Sequence, residues 1–353
     1  MKAILYKKGG RANASFTEVP EPVVGPGDVL IKVYASCICR PADCAHDGGY
    51  SVFGRYPLVP GHEYAGIVEA VGKNVTRFKT GDRVTADANK PCGKCYYCMR
   101  GEVRFCENNT AYGQALNGGF AQKVSVDESL VYRIPDGVSL RAASMTELVG
   151  CAYNGVEVAG FHTSDEVLIL GCGASGMLLT QFARNSNASS VAVVDCVRSK
   201  LDRAAKYGVD TVLVDKNDYS KHEALLREKY PHGFDVIIDA TSDSELITRS
   251  LDLLKRGGRF VNYSFVNNTD IAKPVEINPR LFVTRELSYL GASFQHFKFE
   301  QSLRAIESGK VNCEELITSV LPLEGFFEGM DKVWNDPETI KVLLEPNGSS
   351  EWL

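Results

Sequence analysis

No run of apolar residues in this chain approaches the length of a membrane span, so no membrane partner is expected. An excess of positive charge is missing too. Lys and Arg number 39 against 44 Asp and Glu, a net charge of −5, which leaves no electrostatic footprint for a nucleic acid. Internal repeats and low-complexity segments are absent. The start, Met1-Lys-Ala-Ile-Leu-Tyr6, reads as a short strand and has no apolar core of a signal peptide. A disulfide framework is lacking as well. Of 11 cysteines, four crowd into one stretch and the others are scattered, which points to a reducing cytoplasmic setting. There the sequons Asn74-Val-Thr76 and Asn108-Asn-Thr110 would be incidental.

What the chain does have is enough length, 353 residues with 44% apolar content, for two domains or one large one with a full core. The densest chemistry lies at Cys92-Gly-Lys-Cys95-Tyr-Tyr-Cys98, followed by Cys106. One tight loop can supply four thiolates at this spacing, which suits a closed tetrahedral zinc site. Disulfides or an iron–sulfur cluster are the competing uses. Upstream, Ser36-Cys37-Ile38-Cys39 precedes Gly61-His62-Glu63. A thiolate, an imidazole and a carboxylate would leave one position of a second zinc open, the mark of a catalytic site. Cys39 is favoured over Cys37 as the thiolate. Glu63 is either a fourth ligand or an outer partner of the imidazole. Residues 137–160 read as helical, and Glu147 falls within their apolar stripe. A buried carboxylate needs a partner or a metal. A solvated helix glutamate is the alternative.

From Glu166 the pattern becomes βα. The strand Glu166-Val-Leu-Ile-Leu170 runs into Gly171-Cys-Gly173-Ala174-Ser175-Gly176 and then an apolar helix. These glycines allow a sharp turn, the approach of a pyrophosphate to a helix N-terminus, and close helix–strand contact. The next strand, Ser190–Val194, ends in Asp195. An acid there accepts from ribose hydroxyls and repels a 2′-phosphate, favouring NAD, although a helix N-cap would also use an Asp. Arg198 and Lys200 keep NADP open. Further strands are expected around Val212, at Phe234–Asp239 leading into Ala240-Thr241, at Gly257–Tyr263 and at Leu287–Ala292, with a helix over Leu246–Leu254. Six parallel strands with helices between them make a doubly wound sheet. The tail, 297–353, is expected to pack back on the first domain.

Taken in order, Gly61-His-Glu-x-x-Gly66, the four-cysteine lobe, Gly118-Gly-Phe-Ala121, the glycine turn with Asp195, and Gly257-Gly-Arg259 resemble the zinc-containing medium-chain alcohol dehydrogenase family over the whole chain. Thr146-Glu147-Leu148 stands where the polyol branch carries Glu-Pro, so the chain looks most like sugar-alcohol dehydrogenases. The resemblance implies an α/β protein with a discontinuous, β-rich, GroES-like catalytic domain over 1–155 and 291–353, and a six-stranded Rossmann domain over 156–290. It implies two zinc ions per chain. Cys39, His62, Glu63 and Glu147 surround the catalytic one, directly or through water; Cys92, Cys95, Cys98 and Cys106 hold the structural one. Gly171, Gly173, Ala174, Ser175, Gly176, Asp195, Arg198, Lys200, Ala240 and Thr241 are placed at the NAD site. The implied reaction passes a hydride between NAD and a secondary alcohol, a polyol such as D-arabinitol or sorbitol, giving a ketose, in a homodimer or homotetramer. A phosphorylated sugar alcohol is the rival substrate, and a non-enzymatic redox or nucleotide sensor the remote alternative. The pattern departs at Cys39-Arg40-Pro41-Ala42-Asp43, where the family has a Ser or Thr that relays the substrate proton. Asp43, His46, Ser36, Tyr50 or Glu147 with water are the substitutes.

Overall fold

The computed structural model describes residues 1–264, 274–295 and 297–350; the last three residues of the expected C-terminal segment lie outside them. The chain divides into two compact units, Met1–Gly150 with His296–Leu353, and Cys151–Gln295.

The first unit is built on a seven-stranded sheet in the order Ile317–Pro322, Lys341–Glu345, Asp28–Cys37, Glu63–Val71, Arg83–Ala86, Val131–Arg133, with Lys123–Asp127 also paired to Asp28–Cys37. Alternation drives it. Val29, Ile31 and Val33 are fully buried and pack with Tyr64, Val68, Val84, Val124, Val126 and Val131. Each such side chain taken out of water contributes roughly 1.5–3 kcal/mol. A second core gathers Ile4, Tyr6, Ile38, Phe120, Phe326, Met330, Val342 and Leu344. The late strand joins the early one antiparallel, with Leu343 opposite Cys37 and Leu344 opposite Ser36. The chain's end therefore completes a sheet begun near its start, which makes this β-rich half discontinuous.

The second unit is a six-stranded parallel sheet in the order Asp210–Leu213, Ser190–Asp195, Glu166–Leu170, Phe234–Asp239, Leu254–Asn262, Ser288–Gly291. Val167 through Leu170 are all 0% exposed, as a parallel strand covered on both faces requires.

Two boundaries differ from expectation. The helical stretch after residue 137 is two helices, Leu140–Ser144 and Thr146–Ala159, because the Thr146 hydroxyl donates to the Ala143 carbonyl at 2.6 Å and competes with the backbone ladder. The helix expected over Leu246–Leu254 ends at Ser250. A 3₁₀ turn covers Leu251–Leu253, and Leu254 opens the next strand opposite Phe234. A short apolar run carries no period able to separate the two.

Candidate metal centre and dinucleotide turn

Among the described residues, two groups of His, Cys, Asp and Glu bring their donor atoms within 4.8 Å of one another: Cys39 with His62 and Glu63, and Cys92 with Cys95, Cys98 and Cys106. No disulfide joins any of the cysteines.

The first group is assembled by strand ends. Cys39 follows the strand Asp28–Cys37 and caps the helix Arg40–Gly48. The stretch Arg40-Pro41-Ala42 is simply the first turn of that helix, where a missing proline N–H costs nothing. Asp43 reaches back and accepts from the Cys39 N–H at 2.7 Å, so the amide at the helix start has a partner. His62 and Glu63 sit where the segment 59–61 pairs with 118–120: Gly118 donates to the Val59 carbonyl, Gly119 to Gly61, and Phe120 to Pro60, at 2.7–2.9 Å. Gly61 has φ +94°, and a Cβ there would stand 2.7 Å from the Phe120 nitrogen. Only glycine lets the chain make that approach just before the imidazole.

His62 and Glu63 are buried, and His62 Nδ1 has no hydrogen-bond partner among the described residues. An orphaned imidazole nitrogen beside a thiol and a carboxylate is the donor set zinc takes, so these residues fit a metal ion. Burial pushes the Cys39 thiol well above its ordinary value; Glu63, Asp43 and Glu147 add to that push and Lys341 opposes it. Glu147 is thus close enough to act on Cys39, and it is 8% exposed rather than solvated. Cys37 lies apart from the donor group. It is fully buried against the Ser144 hydroxyl at 3.3 Å, and burial pushes its thiol to about 12.

The substitutes for the proton relay separate clearly. His46 is fully enclosed, with Nδ1 2.8 Å from the Tyr56 hydroxyl and Nε2 3.0 Å from Gln114 Oε1, and burial lowers it to about 4. Both nitrogens are committed elsewhere. The Ser36 hydroxyl donates to the Glu63 carbonyl at 3.2 Å. Asp43 is raised to about 6 by burial, and its Oδ1 has no hydrogen-bond partner among the described residues.

The cysteine lobe is local. It consists of the four-residue helix Tyr96–Met99 and the 3₁₀ turn Val103–Phe105 between its sulfurs. The Cys92 N–H donates to Cys106 Sγ at 3.2 Å. The Lys94 and Cys95 amides lower Cys92 to about 6, and the Cys98 amide lowers Cys95. Lost solvation, then the neighbouring Cys95 and Cys106, push Cys98 up to about 12. Four clustered sulfurs with amides aimed at them also fit a zinc ion.

In the second unit, the strand Glu166–Leu170 turns through Gly171 into the helix Ala174–Arg184, capped by Gly173. A Cβ on Gly176 would stand 1.9 Å from the Gly171 carbonyl oxygen, so strand and helix touch there, while nothing lies within 4 Å of one on Gly173. That open side, at a helix N-terminus begun by Ala174 and Ser175, fits a pyrophosphate. Asp195 is half-buried at its strand end. Its Oδ2 accepts from the Cys172 N–H at 2.6 Å and its Oδ1 from Val197 at 2.8 Å. Val197, not Asp195, caps the helix Arg198–Ala205. Arg198 is exposed and Lys200 is buried. Thr241 packs beside Gly171, held by its N–H and hydroxyl donating to Asp239 Oδ1 at 2.9 and 2.6 Å, and the Ala240 N–H donates to the Leu170 carbonyl at 2.9 Å.

Comparison with known proteins matches residues 25–136 to the alcohol dehydrogenase GroES-like domain and residues 174–308 to the zinc-binding dehydrogenase model. D-arabinitol dehydrogenase 1 of Uromyces fabae is 30% identical, over 98% of this chain and 97% of its own. The chain belongs to the zinc-containing medium-chain alcohol dehydrogenase family. D-altritol 5-dehydrogenase of Agrobacterium fabrum is 31% identical, over 97% and 98% of the two chains. The solved structure of a zinc-binding dehydrogenase from Sinorhizobium meliloti bound to NADP has 29% identity and a TM-score of 0.89, covering 98% of this chain and 99% of that one.

In this family member, one residue beside the candidate metal centre was missed from the sequence. Lys341 places its ammonium 2.6 Å from Glu63 Oε2 and 2.8 Å from Oε1. Only the Oε1 contact has the angle of a hydrogen bond; the other is purely ionic. Burial alone would depress the Lys341 ammonium, but Glu63, Cys37 and Cys39 together more than reverse that. The only hint in the sequence was a charge opening the apolar run Lys341-Val-Leu-Leu344.

Proposed function

We propose that this dehydrogenase oxidises a secondary hydroxyl of a sugar alcohol to a ketose, with NAD accepting the hydride, and runs in reverse with NADH. The observation that carries the reading is the convergence of Cys39, His62 and Glu63 within 4.8 Å in a chain of this family. Cys39 and His62 would hold a catalytic zinc with Glu147 and Glu63 beside it, and Cys92, Cys95, Cys98 and Cys106 would hold a second, structural one. Bound zinc supplies a Lewis acid that lowers the pKa of the alcohol. Burial of the donors keeps water from the charge that develops. With His46 committed to Tyr56 and Gln114, Glu147 is the group to accept the hydroxyl proton at a carboxylate oxygen.

The nicotinamide cofactor supplies the hydride-accepting ring. Gly171, Gly173, Ala174, Ser175 and Gly176 would wrap its pyrophosphate, Ala240 and Thr241 would flank it, and Asp195 would accept from the ribose. The Asp195 charge disfavours a 2′-phosphate, whereas exposed Arg198 favours one, so NAD is the preferred rather than the exclusive form. Relatives named for D-arabinitol and D-altritol support a pentitol or hexitol as substrate. Assembly as a homodimer or homotetramer in the cytoplasm completes the reading.

The test is absorbance at the reduced-nicotinamide band with pentitols, hexitols and their phosphates, each with NAD and NADP, before and after chelation. Turnover of a free polyol with NAD, lost on chelation and restored by zinc, is expected. Turnover of phosphates alone would move the substrate to the phosphorylated class. NADH binding with no turnover of any alcohol would leave a sensor.

A further inference from the structure

We infer that Tyr263 is a positioning residue of the dinucleotide turn: its hydroxyl donates to the Ser175 hydroxyl and so turns the Ser175 proton toward the diphosphate of the cofactor. The inference rests on the dinucleotide reading of the glycine turn.

Tyr263 is the first residue past the strand Leu254–Asn262, at the carboxyl end of the parallel sheet, where sheets of this kind bind their ligands. Asp239, at the end of the adjoining strand, holds it there. The Asp239 carbonyl accepts from the Tyr263 N–H at 3.3 Å and from the Ser264 N–H at 3.1 Å. The Asp239 carboxylate, fully buried, accepts from the Ser264 hydroxyl and from the N–H and hydroxyl of Thr241. The chain after Asn262 is thereby tied to the loop that carries Ala240 and Thr241. Gly155 makes room for the ring. A Cβ on Gly155 would stand 2.9 Å from Tyr263 Cδ2 and 3.2 Å from Leu179 Cδ2, so the missing side chain lets the ring lie beside the helix Ala174–Arg184. From there the Tyr263 hydroxyl reaches Ser175 Oγ at 3.4 Å.

Ser175 is the second residue of that helix after its Gly173 cap, so its hydroxyl stands among the first amides, where an anion meets the helix. A hydroxyl has one proton to give and two positions at which to accept. On its own, the Ser175 proton can rotate among several acceptors. An O–H donated by Tyr263 fills one accepting position, leaves the proton for a phosphate oxygen, and polarises it. The 3.4 Å separation is longer than the usual O–H···O range of about 2.5–3.0 Å, so the pair is loose in the free protein. A phosphate that draws the Ser175 proton makes Oγ a better acceptor, and the bond from Tyr263 tightens with it. The two hydroxyls therefore act in series, Tyr263 through Ser175.

The experiment measures binding to the full chain: NADH by fluorescence, ADP-ribose and AMP by displacement of NADH, in the parent, Tyr263→Phe, Ser175→Ala and the double variant. Phenylalanine keeps the ring beside Gly155, and the melting temperature of each ligand-free variant is read alongside. Tyr263→Phe is expected to weaken NADH and ADP-ribose about 3- to 10-fold. AMP, which lacks the diphosphate linkage, should bind as before, and the melting temperature should stay at the parent's. In the Ser175→Ala background the same substitution should cost nothing more. Parent-like affinity of Tyr263→Phe for NADH and ADP-ribose overturns the inference. An equal loss with and without the Ser175 hydroxyl, or an equal loss for AMP, shows that Tyr263 acts by packing and overturns it as well. Parent protein that binds none of the three ligands would overturn the dinucleotide reading first, and this inference with it.

Discussion

The two donor clusters of the first unit are made in opposite ways. The four-cysteine lobe comes from one loop of 15 residues, its sulfurs are mostly within reach of solvent, and its own backbone amides favour thiolate at Cys92 and Cys95. The Cys39 centre draws on a strand end, the start of another strand, a helix and a residue 278 positions away. Its thiol is driven upward by burial, and its charge is balanced by a lysine rather than by amides. A loop that closes on an ion needs the ion to hold its shape. A centre embedded in a sheet and a hydrophobic core has its shape already and can leave a position free. Opposite couplings between metal and fold follow from that difference.

Losing one donor from each cluster should expose the contrast most strongly. Cys39→Ser is expected to cut turnover by more than about 100-fold, beyond what an outer partner costs, while melting temperature and NADH binding stay near the parent's. Steady-state rates with calorimetry and NADH fluorescence read it, and normal turnover would shift the thiolate to Cys37. Cys98→Ser should do the reverse. Roughly 2 kcal/mol or more of stability should go, about 3 °C or more in melting temperature for a chain of this size, with kcat little changed in protein that remains folded. Lost activity at an unchanged melting temperature would erase the distinction between the clusters.

A pH-dependent effect, absent near neutrality, concerns the helix that starts at Cys39 and is pinned by His46. That imidazole is held near 4 by burial, against about 6.5 when unfolded, so the unfolded chain binds more protons between those values. Its contribution to stability is therefore lost as pH falls from about 6.5 to 4. Asp43, raised to about 6, has the opposite sign, since the folded form holds the proton longer and stability falls as pH rises through that range. Urea midpoints of His46→Gln and the parent, compared across pH 4–7, should differ in slope by about 2–3 kcal/mol over the window. Parallel curves would show that the burial of His46 does not couple to folding.

Much of this was legible beforehand, for unequal reasons. The βα alternation from Glu166 to Ala292 announced the parallel sheet because buried parallel strands are continuous apolar runs. Gly176 was readable as a contact point, and a Cβ there would strike the Gly171 oxygen. Cys39 was preferred to Cys37 from residue order without a physical ground; the structure offers one, since Cys37 lies against the Ser144 hydroxyl. The end of the helix at Ser250 was missed because Leu251–Leu254 suits helix and strand alike. His46 looked available for proton transfer until Tyr56 and Gln114 were seen to take both of its nitrogens.

Residue order alone was enough for the cysteine lobe and the glycine turn, because a few consecutive bonds limit how far neighbouring donors or amides can stray. It was silent on Lys341 and Glu63, since a pairing across 278 residues depends on which strands become neighbours and in what register. That register is chosen by the packing of apolar faces far from either charge, and only the folded sheet reveals it.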